Sequence, residues 1–114
     1  MKYILISLLI PFNLYAADIE NNYTVRGVGQ MECKEFSKMD KNSDKFLVVS
    51  NWILGAATTV SLLIQTKTDF FENMDSKTIV AGVYGWCKEN PKELVADSFQ
   101  MLVTANAEYL SLKK

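Results

Sequence analysis

A chain of 114 residues with 12 Lys+Arg, 13 Asp+Glu and no histidine has the length of one domain. It has no charge excess that would draw it to nucleic acid or an anionic bilayer. Without histidine the usual general base, the Ser-His and Cys-His nucleophile systems and the commonest metal ligand are all missing. Carboxylate pairs remain, but on a small helical surface these are ordinarily solvated. The expectation is a binding protein with no catalytic residues, no cofactor and no metal.

The chain opens as a secretory signal. Lys2 supplies the positive start and Tyr3 to Ile10 the apolar run; Pro11 breaks the segment, and Ala16 is a small residue at a cleavage position. The apolar run is well short of the roughly 20 residues that span a bilayer, so residues 1–16 are expected to be removed on export, leaving no membrane span. About 98 of the 114 residues then remain, and as Lys2 is the leader's one charge, they carry 11 basic against 13 acidic groups, a net −2. Cys33 and Cys87 are the only cysteines. In an oxidising compartment they should pair. Closing a loop of that length stabilises a fold by roughly 4 kcal/mol in the chain-entropy model, a large share for a domain this small.

Residues 17–30 read as a polar arm, either ordered by contact or flexible. It contains the acceptor pattern Asn22-Tyr23-Thr24, relevant only to a eukaryotic source, and Gly27-Val28-Gly29, too short for a phosphate loop. A helical domain over 31–114 follows. Met31 to Lys38 forms a short helix with Cys33 and Phe36 on one face. Asp40-Lys41-Asn42-Ser43-Asp44 imitates the start of a calcium loop, but Lys45 replaces its glycine and Asn51 its final glutamate. A turn in which Ser43 or Asp44 caps the next helix fits better.

That helix runs from Phe46 to about Lys67, with Phe46, Val49, Ile53, Ala57, Val60 and Ile64 in one apolar stripe. The small residues Gly55 to Thr59 mark an expected tight helix crossing. A connection carrying Phe70 and Phe71 must tuck these rings under the fold or expose them. Asp75 or Ser76 then caps a helix to Glu89 with Ile79, Val83 and Cys87 inward. Asn90-Pro91-Lys92-Glu93 reads as a capping box that restarts a helix at Pro91, running to about Leu110. The fold expected is all-α, with four to five helices and one disulfide. Trp52 and Trp86 are expected to pack in or near the core, or to join Phe70 or Phe71 in a self-association or client surface.

Three stretches resemble the HdeA/HdeB family of periplasmic acid-stress chaperones: Met31-Glu32-Cys33-Lys34-Glu35-Phe36, Ser50-Asn51-Trp52-Ile53, and Tyr84-Gly85-Trp86-Cys87-Lys88-Glu89-Asn90-Pro91. They span most of the mature chain in order, although only some fifteen positions are specific. The resemblance implies a periplasmic, disulfide-linked four-helix domain, dimeric at neutral pH. In acid such proteins dissociate, partly unfold and hold unfolding periplasmic proteins on exposed apolar surface. The client and homodimer surfaces implied centre on Trp52, Ile53 and Leu54, with Phe70, Phe71 and Trp86 as further candidates. Below about pH 4 the carboxylates neutralise, moving the mature chain from −2 toward +11 plus termini, and self-repulsion then opposes both dimer and compact fold.

The helix from Trp52 to Thr59 is richer in small residues than in the short chaperones. More loosely, it and Glu89-Asn90-Pro91-Lys92-Glu93-Leu94 resemble small periplasmic immunity proteins that neutralise cell-wall amidase effectors, a group with more cysteines than two. The alternative expectation is therefore an inhibitor with one cognate effector as its partner.

Overall fold

A computed structural model describes residues 25–64 and 69–112. The expected leader, the first part of the polar arm and the Asn22 acceptor lie outside them. A 3-10 turn, Gly27–Gln30, precedes four helices: α1 Cys33–Ser37, α2 Asp44–Leu63, α3 Ser76–Glu89 and α4 Val95–Leu112. The domain is all-α with one disulfide; among the described residues β-type pairing is confined to a single bridge between Glu32 and Leu94.

The helix starts follow from side-chain oxygens satisfying free backbone N–H groups. Ser43 Oγ accepts the Phe46 N–H at 3.1 Å at the start of α2, and Asp75 Oδ1 accepts the Thr78 N–H at 2.8 Å at the start of α3. The calcium-like turn spends its polar groups internally. Asp40 Oδ1 accepts from the Asn42 N–H, and the Asp40 carbonyl accepts from the Ser43 hydroxyl. α2 ends at Leu63, short of Lys67, because Ile64 already has extended backbone at ψ 106°.

The last helix corrects the sequence expectation. It starts at Val95, four residues after Pro91, and no capping box forms at Asn90 and Glu93. The competing demand comes from α1. Its first N–H groups have no partner within so short a helix, and Cys33 and Lys34 donate to the carbonyls of Glu93 and Pro91 at 2.7 and 3.0 Å. The Val95 N–H, which a helix begun at Pro91 would use on the Pro91 carbonyl, donates to Met31 at 2.9 Å instead. Asn90 turns its amide back to the Trp86 carbonyl, and the Glu93 carboxylate accepts from Trp86 Nε1 at 2.8 Å. α4 is started by Asp97, whose Oδ2 reaches back to the Leu94 N–H at 3.1 Å.

The core lies between these elements. Cys33 and Phe36 of α1, Val49, Ile53 and Ala57 of α2, Ile79, Val83 and Cys87 of α3, and Val95 and Phe99 of α4 are buried together with Phe70 and Phe71. The Cys33–Cys87 disulfide spans 4.6 Å between Cα atoms and 54 residues of chain. It joins α1 to the end of α3. Ser98, fully buried in α4, places its hydroxyl 2.9 Å from Cys33 Sγ and 3.3 Å from Cys87 Sγ. As bonded sulfurs carry no hydrogen, the serine donates.

The tight crossing is not where the small residues cluster. A Cβ on Gly55 would meet nothing within 4 Å, and Thr58 and Thr59 are exposed, donating to the carbonyls of Leu54 and Gly55. Close approach occurs at Gly82 of α3, where a Cβ would lie 2.9 Å from Leu102 Cδ1 of α4.

Candidate functional site

α2 presents two different faces. Val49, Ile53 and Ala57 enter the core. On the other side Leu47 and Val48 are 58% and 53% exposed, and Leu62 and Leu63 are 75% and 76% exposed. Between them lie exposed Asn51, Gly55, Thr58 and Thr59. From Phe46 to Ile64 the helix contains no charged residue. By length and composition α2 is also long and apolar enough to cross a membrane, with only 22% of that stretch buried. An apolar helix face left open to water is the kind of surface that marks association.

The residues singled out from sequence do not form one surface. Ile53 is in the core at 0% exposure, and Phe70 and Phe71 are buried at 4% each. Their rings pack edge to face at 4.9 Å between centroids, and Phe71 continues to Phe99 at 6.3 Å. Leu54 is partly buried on α2. Trp86 is partly buried at the end of α3 and tied to Glu93. Trp52 is partly buried against the 3-10 turn. Its Nε1 donates to the Arg26 carbonyl at 3.2 Å, and its ring lies over buried Gly29, where a Cβ would come within 2.3 Å of Cζ2. The last residues of the polar arm are thus ordered by contact with this indole.

Phe70 and Phe71 are held inward by a ring of polar contacts that periodicity did not reveal. Asp69 Oδ1 accepts from the Ser61 hydroxyl at 2.7 Å and from the Phe71 N–H at 3.1 Å. Asn106, buried in the apolar stripe of α4, donates from Nδ2 to the Phe70 carbonyl at 2.8 Å and accepts from Asn73 Nδ2 at 3.0 Å. Asp75 closes the segment as the cap of α3.

Both carboxyls are held below the usual carboxylate range. At Asp69 the Ser61 hydroxyl is the main cause and the Phe71 N–H the second; at Asp75 the Thr78 hydroxyl leads and the Thr78 N–H follows. Both groups are fully exposed, so water screens the effect. The signal that could have identified this segment is the spacing of Asp69 and Asp75 around Phe70-Phe71, as Asx residues readily accept nearby backbone N–H groups.

Chemically, the chain offers an open apolar helix face and a pair of buried aromatics behind a connection anchored by acids. Among the described residues no group of three or more Cys, Asp or Glu side chains is placed to hold a metal ion. No protein-family model, no curated protein and no solved structure matches this chain.

Proposed function

We propose that this chain is an exported, periplasmic protein-binding protein that holds unfolding proteins on apolar surface in acid, as the HdeA/HdeB chaperones it resembles do. The observation that carries this reading is the outer face of α2: four large apolar side chains exposed along a helix with no charge between Phe46 and Ile64. Such a face binds without sequence preference, because apolar burial is non-directional. Acid dependence comes from the general charge repulsion of a chain whose carboxylates neutralise, and the exposed, water-screened carboxylates beside Phe70 and Phe71 add to it. Protonating Asp69 and Asp75 removes the charged acceptors that hold this connection, and two further aromatic rings become available to a client.

At neutral pH the same face suits a second copy of the chain. Val48, Gly55 and Leu62 repeat every seven residues in one exposed stripe, and the bare Cα of Gly55 lies at its centre. Two antiparallel α2 helices crossing at Gly55 would bring the Leu47-Val48 end of each against the Leu62-Leu63 end of the other. The dimer would then keep the client surface covered until acid charge repulsion separates it.

The test is light scattering of an aggregating model protein with the oxidised mature chain. Suppression at pH 2–3, absent at pH 7 and lost in a Leu62→Glu/Leu63→Glu variant, is expected. No suppression at pH 2–3 overturns the holding function. A single tight partner at pH 7, sought among cell-wall hydrolases, would instead support the inhibitor alternative. Preferential binding of α2 to neutral vesicles would assign its face to a bilayer.

A further inference from the structure

Away from the open face of α2, a groove of about 640 Å³ runs between α2 and α3. Its floor is apolar: Phe46, Leu54, Val80 and Tyr84 line it. The floor is also packed from beneath. Phe46 stacks on buried Phe36 at 5.3 Å, Tyr84 meets Phe36 edge-on at 5.4 Å, and the Tyr84 hydroxyl donates to the Ser37 carbonyl at 2.9 Å. The charged side chains that line it are Lys41, Lys77 and Lys88, with no carboxylate among the lining residues. Lys41 Nζ lies 4.5 Å and Lys88 Nζ 5.5 Å from the Tyr84 ring centre. Two ammonium groups are therefore gathered at one edge of the apolar floor by the same ring. The one ion pair among the described residues, Lys45 with Glu35 at 2.6 Å, leaves all three rim lysines out. Asp75 caps α3 through Thr78 and keeps its charge, which partly offsets Lys77 and leaves Lys41 and Lys88 as the cations set at the Tyr84 ring.

We infer that this groove binds a single-chain amphiphilic anion, an alkyl chain ending in a carboxylate. The volume is within the roughly 300–1,000 Å³ of small-molecule sites, which are mostly apolar with a few placed polar groups. The alkyl chain lies along Phe46, Leu54 and Val80, and the head group meets Lys41 and Lys88 over Tyr84; Lys77, in the first turn of the helix that carries Tyr84 and Lys88, lines the far end of the groove. Lys41 and Lys88 select the sign of the head group, and Lys77 adds positive charge at the far end of the groove. They leave the chain's own acids out of the site, so the preference does not depend on the α2 outer face or on the holding function.

The experiment is isothermal titration of the oxidised mature protein at pH 7 with dodecanoate and, separately, dodecyltrimethylammonium, both below their micelle concentrations. Dodecanoate is expected to bind with one-to-one stoichiometry and the cation at least about tenfold more weakly. Lys41→Ser/Lys77→Ser/Lys88→Ser should erase that preference. Ala81→Trp, which places a ring in the groove from an exposed helix position, should abolish binding of both, with helical circular dichroism unchanged. A monoacyl phosphate of the same chain length separates a carboxylate site from a general anionic-head site: equal affinity extends the class to lipid-derived phosphates and keeps the groove assignment. No binding of dodecanoate, or binding unaffected by Ala81→Trp, overturns the proposal.

Discussion

Asn106 lies in line with Phe99 and Leu102 on α4, where sequence spacing reads it as one more core position, yet both ends of its amide are used. Nδ2 satisfies the Phe70 carbonyl and Oδ1 takes the Asn73 amide. Replacing it with leucine keeps the volume but leaves a buried carbonyl without its donor. Because an unmade buried hydrogen bond is costly, Asn106→Leu should lose about 1–3 kcal/mol in urea unfolding, with faster amide exchange at Phe71 and Met74 than in α3. Unchanged exchange there would mean that the aromatic pair is held by packing alone. Ser98 poses the same difficulty at the disulfide. Nothing in the spacing of α4 distinguishes a serine whose hydroxyl sits against a buried disulfide from one that faces water, because its nearer sulfur, on Cys33, is 65 residues away in sequence. Local pattern narrowed the caps to Ser43 or Asp44 and to Asp75 or Ser76; Ser43 and Asp75 form them, each with a partner three residues on. It could not identify polar groups whose partners arrive only through the tertiary fold.

At the scale of elements, the connection between α2 and α3 is where loss of carboxylate charge should cost stability. Both of its depressed carboxyls have folded pKa values below their unfolded values. Their contribution to stability is therefore fully present above the unfolded value, near pH 4, and is lost as pH falls through the folded values. An Asp69→Asn/Asp75→Asn variant should melt below the wild type at pH 7. The two should converge as the wild type's own carboxyls protonate below about pH 4. Thermal melts followed by circular dichroism from pH 7 to 2 measure this directly. A difference that stays constant over that range would show that carboxylate charge does not hold the connection. The same scale explains the displaced start of α4. The Asn-Pro-x-Glu pattern carries a valid local signal, but α1 has only five residues and must borrow acceptors. The Pro91 and Glu93 carbonyls are the ones the disulfide brings beside it. A local rule lost to a long-range hydrogen-bond requirement.

For the whole molecule the open question is what one uncharged helix face is for, because a dimer and a client make the same demand on it. Gly55 separates the two. A side chain there meets nothing within 4 Å in the monomer, and leucine is a better helix former than glycine by up to about 1 kcal/mol, so Gly55→Leu should fold at least as well as the wild type. In the proposed antiparallel pair, however, the leucine would stand where two backbones cross, forcing them apart. The added side chain also enlarges the apolar face available to an unfolding protein. Sedimentation at pH 7 should therefore show Gly55→Leu shifted toward monomer by about tenfold or more in dissociation constant, the equivalent of about 1.4 kcal/mol of lost contact, while suppression of client aggregation at pH 2–3 is kept or improved. Leu62→Glu/Leu63→Glu should differ at neutral pH and in acid alike. Its charges weaken the dimer at pH 7, and their protonated side chains still remove apolar area from the client surface at pH 2–3. A Gly55→Leu chain that remains as dimeric as the wild type would place the self-association surface elsewhere on the molecule and leave the α2 face to clients alone.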